Sequence, residues 1–146
     1  MSDLDALLER LEKATGPDRE LDEAIMALFY TLDERHIGTT EGWDDDPDSF
    51  KPVKDRVWVD PATDKWVSTA AFHFTASIDA ALALVERVLP GWMHANGNCG
   101  EQNMPWACIT EPDEPCRDFS AGAPTEPLAI LIALLRALST IRSTHP

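Results

Sequence analysis

The sequence predicts an α+β fold, a mainly antiparallel sheet of about four strands with helices packed on it in an α-β-α sandwich-like arrangement. Three observations carry this. Capped stretches with apolar residues at helical spacing stand at both ends of the chain and in its middle. Short runs of β-branched and aromatic residues follow one another too closely for anything but an antiparallel meander. Neither GxGxxG nor GxxxxGK occurs, and no β-α-β-α-β alternation is present, which argues against a doubly wound dinucleotide or P-loop fold.

The elements follow in order. Ser2 caps a helix whose Leu4, Leu7, Leu8 and Leu11 recur on one face and which ends near Lys13. Gly16 and Pro17 close it and open a second, with Asp18 and Glu20 in the first turn, where the helix dipole favours anions. Leu21, Ile25, Leu28, Phe29 and Leu32 form its apolar stripe, so residues 1–32 read as a helical hairpin. From Asp33 to Asp55 periodicity vanishes and polarity rises, with Pro47 and Pro52 opposing regular structure; an acidic loop is expected over 33–55. RVWV at 56–59 and KWVSTAAF at 65–72, separated by a PATD turn, predict a strand or hairpin.

Ser77, or Thr75 before it, caps the helix IDAALALVERVL, stopped by Pro90 and Gly91, with Ile78, Leu82, Val85 and Leu89 sharing a face. Three short strands are expected next, Trp92 to Ala95, Pro105 to Ile109 and Cys116 to Ser120. Thr125 then opens EPLAILIALLRALSTIRS, apolar on nearly every side until Arg136. Such a helix must be buried, across the sheet and under another helix or a second subunit, so a homo-oligomer is expected. The 146 residues suit one domain, 1–146, with an α+β core over 56–146.

Charge narrows the function. With 12 Lys+Arg against 26 Asp+Glu, the net charge of −14 repels nucleic-acid phosphates and anionic membrane surfaces alike. Residues 1–48 carry 15 acidic and 4 basic side chains, net −11, so the acidity belongs to the N-terminal third. No apolar run is long enough to span a bilayer, and the start MSDLDALLERLEK lacks the pattern of a signal peptide. Three cysteines, Cys99, Cys108 and Cys116, make an odd count that suits free thiols in a reducing compartment. A cytoplasmic protein is expected.

The candidate chemistry is sparse. In GWDDDPDSF, Asp44, Asp46 and Asp48 match the first, third and fifth positions of a calcium loop, but Ser49 stands where Gly is needed and Asp55 where a bidentate Glu is needed. The cluster reads instead as a solvated loop pinned by Trp43 and Phe50. Alternatively, Trp43, Asp44, Asp45, Asp46 and Asp48 form an acidic recognition face that mimics a phosphate backbone. His94 and the three cysteines lack zinc-knuckle spacing, and no Cys–His or Ser–His–Asp signature singles out a nucleophile. No catalytic residue, metal or cofactor is therefore assigned. Most of the five tryptophans read as core; among them Trp92 and Trp106, with Arg117, are the candidate ligand-binding residues, an indole face beside a guanidinium being suited to a nucleotide.

TGPDRELDEAI at 15–25, FTASIDAALALVERVLPGW at 74–92 and TEPLAILIALLRAL at 125–138 resemble a family of small phage and prophage proteins, the phage α-β-α sandwich domain. The capped helix before Pro90 and the final helix are more weakly similar to NinX-like phage accessory proteins. The resemblance implies a setting, not a residue role. A phage accessory protein of this kind acts in the host bacterial cytoplasm, without enzymatic activity, against bacterial immunity. Two partners fit: a cyclic nucleotide immune signal that it sequesters, or a basic host defence protein that it inhibits in the manner of an anti-CRISPR.

Overall fold

The computed structural model describes residues 2–42 and 45–144. Along the chain run α1 (Asp3–Lys13), α2 (Arg19–Phe29), β1 (Thr31–Thr39), β2 (Pro52–Asp60), β3 (Lys65–Ser68), α3 (Ile78–Val88), β4 (Met93–Gly97), β5 (Trp106–Thr110), β6 (Asp118–Gly122) and α4 (Glu126–Thr144). Helices on antiparallel sheets give an α+β fold, and the strands divide into two three-stranded sheets, β1-β2-β3 and β4-β5-β6. Contacts group the chain into two compact units, Met1–Ile25 with His73–Pro146, and Met26–Phe72, where length alone suggested one domain.

The first unit is organised by α4. Every residue from 127 to 135 is buried, because α4 packs against β4, β5 and β6 and also against α1 and α3. Ala107, Ile109 and Ala121 alternate toward the buried side of the sheet, whereas Cys108, Ser120 and Gly122 alternate away from it and are half-buried or exposed. The helices thus stack on one face of this sheet. The apolar surface of α4, which sequence reasoning assigned in part to a second subunit, is covered by helices of the same unit. Leu4, Leu7 and Leu11 of α1 and Ala81, Leu84 and Val85 of α3 are buried. The ends of α1 and α4 are also tied, since Ser139 Oγ donates to Asp5 Oδ1 at 3.0 Å. Hydrogen bonds from Ser2 and Ser139 hold the Asp5 carboxyl below its usual range.

Two motifs far apart in sequence meet in a buried polar knot. Asp18 caps α2 by accepting from the N–H groups of Glu20 and Leu21. One turn on, Asp22 is buried, and its Oδ1 accepts from the Thr75 N–H at 2.8 Å and from Thr75 Oγ1 at 2.9 Å. Its Oδ2 accepts from Arg19 at 2.9 Å, while Thr75 Oγ1 accepts from the Asp18 N–H at 2.8 Å. Among the described residues, every buried side-chain nitrogen and oxygen has a partner. TGPDRELD and FTASID are therefore two halves of one hydrogen-bonded joint. Thr75 serves this joint, and Ser77 is the residue that caps α3, by accepting from the Ala80 N–H at 3.1 Å.

The second unit corrects the expected loop at 33–55. Thr31–Thr39 is β1 and Pro52–Asp60 is β2, paired along nearly their whole length. The ladder shifts register between His36 and Gly38, and a short turn of 3₁₀ helix at Pro47–Ser49 lies between the two strands. The strand escaped the hydrophobic pattern because it is largely exposed and held by its ladder and by cross-strand charge. Glu34 faces Arg56 and Arg35 faces Asp55. Arg35 also donates to Asp33 and Asp64, at 2.8 Å each, and this contact holds the Asp33 carboxyl below its usual range. Pro52 is tolerated as the first residue of its strand. Met26, Val57, Val59 and Ala71 are buried, and the rings of Tyr30 and Phe72 meet edge-on with centroids 6.0 Å apart.

Candidate functional site: a cleft between Trp106 and Arg136

At one end of the β4-β5-β6 sheet the register places Gly97 and Gly122 on either side of Trp106. The two glycines and Gly100 allow a close approach. A Cβ at Gly97 would lie 2.7 Å from Trp106 Nε1, one at Gly100 would lie 2.7 Å from Trp106 Cδ1, and one at Gly122 would lie 3.1 Å from Met104 Sδ. The indole thus rests against bare backbone. The loop from β4 to β5 folds back to seat it: Gly100 N–H donates to the Met104 carbonyl at 2.9 Å, and Gln102 and Asn103 take left-handed backbone angles, with φ of 61° and 56°.

A cleft of about 580 Å³ opens here, lined by Trp106, Met104, Gln102, Ser120, Gly122 and Arg136 among others. This volume is in the range of small-molecule sites. Arg136 is the cation of the cleft. It interrupts the apolar run of α4, its side chain is 42% exposed, and one terminal nitrogen donates to the Ser120 carbonyl at 2.8 Å. Its other terminal nitrogen lies 4.0 Å from Glu12 Oε2. A second cleft of about 370 Å³ adjoins it, sharing Arg136, Met104 and Gly122 and adding Glu12, Lys13 and Thr15 among others.

Trp92 and Arg117 stand together elsewhere. Both contact Phe119: the Trp92 ring is 6.2 Å away by centroids, and the Arg117 guanidinium is 5.8 Å above the ring. Arg117 also pairs with Glu111. The three candidate ligand residues are therefore divided, with Trp106 in the cleft and Trp92 with Arg117 around Phe119, near the opposite end of the sheet. Sequence reasoning passed over Arg136. Its signal was present, as the charge that ends the uncharged run 127–135.

Of the acidic candidates, Trp43 and Asp44 lie outside the described residues. Asp45, Asp46 and Asp48 are exposed, and Asp46 is engaged as the cap of the short helical turn, accepting from the Asp48 N–H at 3.2 Å. Cys99 and Cys116 are exposed, Cys108 is half-buried on β5, and all three are free thiols. His94 lies 3.9 Å from Glu86. Among the described residues no group of three or more His, Cys, Asp or Glu side chains is placed to hold a metal ion, and no helix is long and apolar enough to cross a membrane.

The seating of Trp106 makes a prediction. Gly97→Ala puts a methyl group into the indole plane's edge, and the ring must swing into the cleft. The expected result is a changed near-ultraviolet circular dichroism signal from tryptophan with little change in the far-ultraviolet spectrum. An unchanged near-ultraviolet spectrum in a folded variant would contradict this seating. No protein-family model, curated protein or solved structure matches the chain, so the reading of the cleft rests on its own geometry.

Proposed function

We propose that the protein acts by binding, as a phage-type accessory protein that sequesters a cyclic nucleotide immune signal in the cleft between Trp106 and Arg136. The observation that carries this is a cleft of about 580 Å³ whose lining includes both Trp106 and Arg136. A base stacks on an indole face whatever its identity, and a guanidinium grips a phosphate with two parallel hydrogen bonds. Ser120 and Gly122 also line the cleft and add little side-chain bulk to it. The phage setting is taken over from the resemblance read in TGPDRELDEAI and FTASIDAALALVERVLPGW. With a net charge of −14 the protein repels such a ligand at long range, so affinity must come from contacts made inside the cleft.

A second reading has its own observation. Asp45, Asp46 and Asp48 are all exposed on one turn of the second unit, as an acidic face directed at a basic defence protein requires. One experiment separates the readings: thermal unfolding with a panel of cyclic di- and trinucleotides. A ligand at about 100 times its dissociation constant adds about 2.7 kcal/mol, a shift of several degrees. The sequestering reading predicts that shift for at least one nucleotide, retained when Asp45, Asp46 and Asp48 are all changed to Asn and lost in Trp106→Ala. No shift anywhere in the panel would contradict it, and salt-sensitive capture of a basic effector, lost in the triple variant, would favour the second reading.

A further inference from the structure

One terminal nitrogen of Arg136 lies near a carboxylate. Glu12, in the last turn of α1, brings Oε2 to 4.0 Å from Arg136 and lines the second cleft. Both side chains are nearly half exposed, 42% for Arg136 and 45% for Glu12, so the pair is weak and can be displaced. The bond from Arg136 to the Ser120 carbonyl, at 2.8 Å, is a separate tether that holds the guanidinium at the sheet edge whether or not Glu12 is present. The other charged side chain lining the second cleft, Lys13, extends from the exposed side of α1.

We infer that Glu12 sets the affinity of this site, as an intramolecular anion that competes with a bound anion for Arg136. The inference rests on reading the cleft as an anion site. A phosphoryl or carboxylate ligand that takes two hydrogen bonds from the guanidinium fork displaces the weak contact to Glu12, and in doing so is held less tightly than it would be without the nearby carboxylate.

The test uses the full chain and calorimetric titration with three probes: inorganic pyrophosphate, citrate and cyclic di-AMP. Four proteins are compared: the wild type, Glu12→Gln, Glu9→Gln and Arg136→Gln. Glu9 is exposed on the same helix and lies outside both clefts, so Glu9→Gln makes the same change in net charge away from the site. The expected result is pyrophosphate binding about three- to fivefold tighter in Glu12→Gln, the effect of one removed charge at the edge of a half-exposed site. Citrate should gain at least as much, Glu9→Gln should match the wild type, and Arg136→Gln should lose pyrophosphate. Equal affinities in Glu12→Gln and Glu9→Gln, or pyrophosphate bound by none of the four or still bound by Arg136→Gln, would overturn the assignment. A pyrophosphate gain specific to Glu12→Gln, with cyclic di-AMP bound by no form, would support Glu12's role and tell against the nucleotide reading instead.

Discussion

Asp22→Ala is expected to lower the stability of the fold by about 2–4 kcal/mol, the cost of a lost buried hydrogen bond and of a buried donor left without its acceptor. The carboxylate is 1% exposed and accepts hydrogen bonds from the Thr75 N–H, from Thr75 Oγ1 and from Arg19. Its loss leaves the Thr75 N–H without an acceptor, at about 1–3 kcal/mol for a buried donor, while Thr75 Oγ1 can still donate to the Asp18 carbonyl at 3.3 Å. For a domain stable by about 5–15 kcal/mol this is a large fraction of the total. Asp22→Asn should cost less, because the amide oxygen can still accept from Thr75 while the bond from Arg19 is lost. Chemical denaturation with tryptophan fluorescence gives both values. A loss below about 1 kcal/mol in Asp22→Ala would mean that the joint between the start of α2 and the segment before α3 does not hold the unit together.

Arg136→Gln is expected to have the largest effect on binding. Hydrogen bonds from a charged donor contribute about 1.5–3 kcal/mol, so affinity for a phosphoryl ligand should fall about 10- to 100-fold. Stability should change little by comparison, since the side chain is 42% exposed and makes one bond to the sheet, to the Ser120 carbonyl. That contrast separates a ligand contact from a structural one. A drop in stability as large as that of Asp22→Ala, with affinity retained in the folded fraction, would assign Arg136 to the fold and not to the ligand.

The helices were legible in the sequence because each has a cap and an apolar pattern, one-sided in α1, α2 and α3 and nearly all-round in α4. Ser2 and Ser77 cap as expected, and the meander of β4, β5 and β6 falls within a residue or two of the strands anticipated from the Trp92, Pro105 and Cys116 stretches. The ribbon of β1 and β2 was not legible. Hydrophobic periodicity reports burial, and a strand such as Thr31–Thr39, exposed along most of its length and paired through its backbone ladder, gives no such signal. Thr75 and Asp22 could not be matched either, being separated by 53 residues and joined only by folding. Of the candidate ligand residues, Trp106 lines the cleft, whereas Arg117 lies by Phe119 and Glu111, and Arg136, not singled out in the sequence, reaches the cleft from α4.

The central claim is that the cleft retains a phosphoryl ligand without altering it. The direct measurement is to load the protein with a cyclic dinucleotide, remove free ligand by gel filtration, denature the protein by heat and identify what is released. The account predicts near-stoichiometric recovery of chemically intact ligand from the wild type and almost none from Trp106→Ala or Arg136→Gln. Release of a cleaved product, or equal retention by all three proteins, would contradict it.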